Sequence, residues 1–124
     1  MLMGSLDCLS HGLKLPATAQ LVYCSGQIHS ENGPGGTVVV QGSTADKTKM
    51  IIGNLEKVLK AGGSSLTQLV KVNIYITSFD FFGEMNEIYN ELIPNPKPPR
   101  TCVCVKDLPF GAQIEIECTG WTED

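Results

Sequence analysis

The chain predicts an α+β domain, a mixed β-sheet with two helices packed on one face. Three observations predict it. Segments of β-forming residues recur along the chain, two segments carry apolar residues at helical spacing, and their order is strand, strand, helix, strand, helix, strand, strand. At 124 residues the chain forms one core and has no room for a second. The expected organisation is one domain over residues 1–124, with residues 1–9 as a flexible N-terminal segment.

Residues 20–28, Gln-Leu-Val-Tyr-Cys-Ser-Gly-Gln-Ile, read as a strand rich in β-formers. Asn32 to Gly36 is a turn cluster, followed by a short return strand over residues 37–40. Neither a GxGxxG pattern nor a P-loop Lys-Ser/Thr accompanies those glycines, so they carry no phosphate site. Ser43 or Thr44 caps a helix running to Lys60, with Asp46 favourable in its first turn. Ile51, Leu55, Val58 and Leu59 give it one apolar stripe, and Gly62-Gly63 supplies a left-handed stop. Residues 69–77 alternate as a strand, with Val70, Val72, Ile74 and Ile76 on one face. Ser78 caps a second helix through Phe82, Met85, Tyr89 and Leu92, ended by Pro94. Two strands, residues 101–106 and 113–120, close the chain around Asp107 to Gly111.

Two helices leave one face of a six- or seven-stranded sheet uncovered. Thr101, Val103 and Val105 lie on one side of their strand, with Cys102 and Cys104 on the other. The face bearing Cys102 and Cys104 is expected to be buried by copies of the chain, with cyclic symmetry.

Hydrophobic residues make up 42% and charged residues 18%, which suits a compact globular protein. A net charge of −4 with no Lys/Arg run makes nucleic-acid binding an unfavoured role. The first residues lack a cationic and apolar leader, so neither a signal peptide nor a membrane anchor is expected. Five cysteines without CxxC spacing argue against a disulfide scaffold and for a reducing compartment, the cytoplasm or the mitochondrial matrix. Cys24, Cys102, Cys104 and Cys118 read as packed thiols in the sheet, in preference to a metal site or a nucleophile. His11 and His29 form no triad pattern with a serine. No metal and no organic cofactor is expected.

Arg100 stands between a proline-stiffened loop, residues 93–99, and the strand that follows. Pro98-Pro99 fixes φ and donates no hydrogen bonds, so Arg100 is delivered to a narrowly defined place. Its guanidinium grips a planar carboxylate through paired hydrogen bonds. Ile114-Glu115-Ile116-Glu117 then sets acids at alternate positions of another strand, which the spacing suggests is a neighbour. An arginine and an acid so arranged can bind a small carboxylate and activate a water, or can simply make a surface ion pair.

The chain resembles the reactive intermediate deaminase family (RidA/YjgF, also called endoribonuclease L-PSP or translation inhibitor). The matching segments are residues 22–28, 54–55, 70–76, 85–89 and 99–103, then Leu108-Pro109 and residues 114–117. The resemblance spans roughly residues 10–121. It implies a chorismate-mutase-like fold and a homotrimer whose sheets form a central barrel with clefts between subunits. It also implies hydrolysis of enamine and imine intermediates, such as 2-aminoacrylate and 2-iminopropanoate, to 2-oxo acids and ammonia. In that picture Arg100 holds the substrate carboxylate and Glu115 positions or deprotonates water. Ser25, Thr101 and the Cys102 backbone contact the substrate. The rivals are a non-catalytic carboxylate-binding regulatory trimer and an endoribonuclease. One departure stands out: active family members usually carry a Pro-Tyr-Ser-Gln-like segment before the first strand, and the nearest match in this chain is Cys8-Leu9-Ser10-His11. Leu9 replaces the tyrosine, which bears on catalytic efficiency more than on carboxylate binding.

Overall fold

The computed structural model describes residues 5–6 and 8–123; of the N-terminal stretch expected to be flexible, residues 1–4 and 7 lie outside the described part. A hairpin of β1 (Ser5–Leu6) and β2 (Leu9–Ser10) opens it. The central sheet contains β3 (Gln20–Ile28), β6 (Leu69–Ile76), β7 (Arg100–Cys104) and β8 (Ile114–Thr122). Their order is β3-β8-β6-β7. β8 runs antiparallel to both neighbours, while β6 and β7 are parallel and joined through a helix. β4 (Ser30–Gly33) and β5 (Gly36–Val39) form a separate hairpin, so the expected six- or seven-stranded sheet is a four-stranded one with two hairpins.

Helix α1 (Thr44–Ala61) begins where Ser43 Oγ accepts from Asp46 N at 3.0 Å. Gly62 bonds back to the last turn, and Gly63, at φ +84°, is the left-handed stop. Its buried stripe is Thr48, Ile51, Ile52, Leu55 and Leu59. Val58, expected in that stripe, is more than a third exposed, because the 48/51/52/55/59 spacing turns it to the rim. Ser78 Oγ caps a 3-10 turn (Phe79–Phe81), and α2 (Phe82–Leu92) follows, burying Met85, Ile88 and Tyr89.

The core lies between these helices and one face of the sheet, where Val72, Ile74, Ile76, Ile114, Ile116, Cys24 and Cys118 meet α1 and α2. A bulge between Leu69 and Lys71 shifts the first turn of the expected β6 alternation: Leu69 is buried and Val70 is only partly so. Register fixes the faces of β7. Arg100, Cys102 and Cys104 pair with Val72, Ile74 and Ile76, so they share the helix-covered face. The uncovered face carries Thr101 and Val103 instead, and Cys102 packs partly against the core. The expectation that neighbours bury the Cys102/Cys104 face is thus corrected. Strand parity is readable from the sequence, but which side the helices choose is not.

Candidate active site

Arg100 opens β7, an edge strand, and its backbone is fixed where Val72 N donates to Pro99 O at 3.0 Å. On the other side of the proline loop, Lys97 is buried and its ammonium donates to Asn90 O at 2.6 Å and to Ile93 O. These are last-turn carbonyls of α2, so the staple binds the loop to the helix and neutralises its negative end. Burial lowers the proton affinity of Lys97. The Arg100 guanidinium carbon lies 4.7 Å from the Tyr89 ring centroid and 5.9 Å from that of Phe82. Among the described residues the guanidinium makes no side-chain hydrogen bond and no ion pair, and Nη1 is buried without a partner. The Tyr89 hydroxyl, Asn86 Oδ1 and Asn90 Oδ1 on the neighbouring helix are also buried and have no partner among the described residues. Burial raises Tyr89 strongly, so its hydroxyl stays a neutral donor.

A second cluster occupies the uncovered sheet face. Glu115 lies over Gly26, where a Cβ would come within 2.9 Å of its carboxyl carbon. Gly26 sits in a β3 bulge between Cys24 and Gln27, with exposed Ser25 beside it. Burial, and then the charge of Glu117, push the Glu115 carboxyl up. Glu117 accepts from Tyr75 Oη at 2.7 Å and from Asn73 Nδ2 at 3.1 Å. Tyr23, Ser25, Asn73, Glu117 and Thr119 line an open cavity of about 320 Å³ on this face.

The chain does not bring Arg100 and Glu115 together. They lie on opposite faces of the sheet, and β6 separates their strands. The expectation of neighbouring strands is therefore wrong: alternation locates a side chain on its strand but does not fix strand order. Arg100, Cys102 and the exposed Thr101 occupy one edge of the sheet. Ser25 and Glu115 occupy the opposite half, on β3 and β8. Sequence reasoning missed Phe82 and Tyr89 as neighbours of the arginine; their i, i+7 spacing on the helix before the proline loop was the available signal. It also missed Asn73 and Tyr75, whose alternation on β6 was visible but whose partner was not.

The remaining candidates have other work. His29 is fully buried, with Nδ1 2.8 Å from Val40 O and Nε2 accepting from Gln113 N at 3.1 Å. Both ring nitrogens are thus occupied. Cys24 and Cys118 face each other across β3 and β8, and burial raises both thiols, as it does Cys102. Raised thiols are poor nucleophiles. Among the described residues no three His, Cys, Asp or Glu side chains converge as a metal site, and no helix is long and apolar enough to cross a membrane.

The profile of the endoribonuclease L-PSP family matches residues 8–121. The chain belongs to this family, the RidA/YjgF family. Its fold is accordingly the chorismate-mutase-like fold. The chain is 46% identical over 101 residues to the mitochondrial protein mmf1 of Schizosaccharomyces pombe, covering 79% of this chain and 60% of that protein. It is 36% identical over 96 residues to the rat 2-iminobutanoate/2-iminopropanoate deaminase, covering 77% and 69%. Among solved structures, yeast Mmf1 superposes with a TM-score of 0.74 at 31% identity, covering 94% of each chain. RidA from an Antarctic Psychrobacter superposes at 0.75 with 28% identity, covering 91% and 87%.

Proposed function

We propose that this protein is a 2-iminobutanoate/2-iminopropanoate deaminase working in a cleft between subunits of a homotrimer. The observation that carries the reading is the Arg100 guanidinium, stacked on Tyr89 and, among the described residues, left without a hydrogen-bonding partner. A fixed, aromatic-backed guanidinium with empty donors suits a planar carboxylate, the group that 2-imino acids carry beside the reacting carbon. The names of the rat and mite relatives support the same chemistry.

In this reading Arg100 binds the carboxylate through its paired N–H groups, with Thr101 and the open backbone edge of β7 at Cys102 beside it. Ser25 lines the opposite wall. Glu115 takes a proton from water as the oxygen attacks the imine carbon, giving a carbinolamine. The nitrogen gains a proton, the C–N bond breaks, and the 2-oxo acid and ammonia leave. Placement of water and substrate supplies most of the rate, so neither metal nor organic cofactor is called for. The mitochondrial names of several relatives favour the matrix over the cytoplasm as the place of work. A carboxylate-binding trimer without turnover is the second reading, favoured by Leu9 standing in the tyrosine's place. Against an endoribonuclease stand the net charge of −4 and two carboxylates on the open face.

Ammonia release from an imine generated by an amino-acid oxidase tests the proposal. The parent should accelerate release, Lys106→Ala should match it, and Arg100→Ala should fall to the uncatalysed rate. Parental turnover in Arg100→Ala would remove both the anchor and the deaminase reading.

A further inference from the structure

Glu115 and Glu117 stand two residues apart on β8 and point to the same uncovered face, so their Cα atoms are about 7 Å apart. Their register partners on β6 are Tyr75 and Asn73. Both nevertheless serve Glu117, and both donate to the same oxygen, Oε1. Tyr75 reaches diagonally past Glu115 to do so. Glu115 makes no side-chain hydrogen bond among the described residues and rests against the bare backbone of Gly26. One carboxylate is pinned and satisfied while its neighbour is left with its oxygens unclaimed. Two carboxylates in such unlike surroundings take different roles.

We propose that Asn73, Tyr75 and Glu117 form a positioning unit for Glu115, in which two donors on one oxygen hold the Glu117 carboxylate beside Glu115 as Glu115 accepts a proton from water. The inference rests on the role given to Glu115 in the deaminase reading. A like charge held nearby disfavours ionisation of the second carboxyl. A free Glu117 would relieve that repulsion by swinging into solvent, and two donors on one oxygen prevent the swing. Burial of Glu115 acts in the same direction and is the larger cause of its raised affinity. The other titratable groups on this face of the three strands are Tyr23, Lys71 and Tyr75. Lys71 opposes Thr119, at the far end of the row from Glu115. On β3, the adjacent Ser25, Gly26 and Ile28 carry no charge. Glu117 is therefore the charged neighbour that adds to burial in raising Glu115, and a raised proton affinity suits a base working near neutral pH.

Glu117→Gln isolates the charge, because the amide oxygen still accepts from Tyr75 and Asn73. The Glu115 side-chain carboxyl is followed by carbon-13 NMR titration, its signal assigned by its loss in Glu115→Gln. The pH profile of kcat/KM for imine hydrolysis is measured alongside, with Tm as the check on folding. In Glu117→Gln both the titration midpoint and the acid limb should move to lower pH at unchanged Tm. A double Asn73→Ala/Tyr75→Phe variant, which releases Glu117, should move the midpoint the same way. A purely structural role would change Tm or the plateau and leave the midpoint in place. A midpoint unmoved in Glu117→Gln overturns the proposal, as does a midpoint that moves while the acid limb stays. Failure of the deaminase reading is seen separately, as a parent that does not accelerate ammonia release, and failure of the Glu115 role as full turnover in Glu115→Gln.

Discussion

A guanidinium lying on an aromatic ring keeps its charge and its donors while losing freedom to wander, which is what an anion clamp needs. Arg100 has this arrangement on Tyr89, and lysine cannot reproduce it, having neither the planar face nor the paired donors. Arg100→Lys should weaken binding of 2-oxobutanoate by roughly 10- to 100-fold, corresponding to about 1.5–3 kcal/mol of charge-assisted bonding, measured by calorimetric titration. Gly26→Ala should act on the opposite half-site. The added Cβ meets the carboxyl end of Glu115, a movable group, so Tm should hold while turnover drops. His29 gives a pH signature of its own. Burial lowers its proton affinity, and Nε2 is already used as an acceptor from Gln113 N. The unfolded chain therefore protonates this residue first, below its ordinary value of about 6.5. The stabilisation is complete above that pH and is lost as pH falls toward the lower folded value. The difference in Tm between parent and His29→Asn should shrink from pH 7.5 to pH 5. At this scale the sequence made Arg100 legible, because two prolines and a strand bracket it. The rings that hold it were hidden, since they belong to a helix that read simply as core.

Elements were legible where local chemistry decides them. Ser43, the 51/55/59 spacing and Gly63 mark α1, and β-formers bracketed by turns mark β3 and β6. Strand order was not legible, because a period of two says which side a residue faces and nothing about its lateral neighbour. β8 is last in the chain yet lies inside the sheet between β3 and β6, and that placement separates Arg100 from Glu115. The seam between β8 and α1 depends on Gly120. A Cβ there would stand 2.5 Å from Leu59 Cδ2, 2.7 Å from Ser64 Oγ and 3.2 Å from the Gln68 carbonyl oxygen. Ser64 is itself tied to Trp121 O at 2.8 Å, so the side that must yield includes backbone and a bonded hydroxyl. Gly120→Ala should cost about 1–3 kcal/mol by overpacking, read as a lower midpoint in chemical denaturation. Ser43→Ala, which only removes the helix cap, should cost about 1 kcal/mol.

For the whole molecule, the decisive fact is that Arg100 and Glu115 lie on opposite faces of one sheet, which in the deaminase reading makes each chain two incomplete half-sites. In that reading the anion half lies at the β7 edge and the water half spans β3 and β8, so a complete site would need two copies. Both edge strands, β3 and β7, are open within one chain, and the uncovered face exposes Leu21, Tyr23 and Val103. Edges and an apolar face of this kind are blunted by pairing with further copies. The proposed ring of three would satisfy this through one repeated heterologous contact, in which the β7 edge of each subunit meets the β3/β8 half of the next. Sedimentation equilibrium at micromolar concentration should give the mass of three chains, and Val103→Glu should lower it. The ring also predicts complementation. Arg100→Ala retains the water half, and Glu115→Gln retains the anion half. Each homotrimer should be nearly inactive, but unfolding and refolding the two variants as an equal mixture creates interfaces between unlike subunits. With random assembly around a heterologous ring, about a quarter of the clefts receive both intact halves, so about a quarter of parental turnover should return. If both residues instead served one site within a single chain, mixing would restore nothing. A refolded mixture that stays as inactive as its components, while sedimenting as mixed trimers, would overturn the shared site.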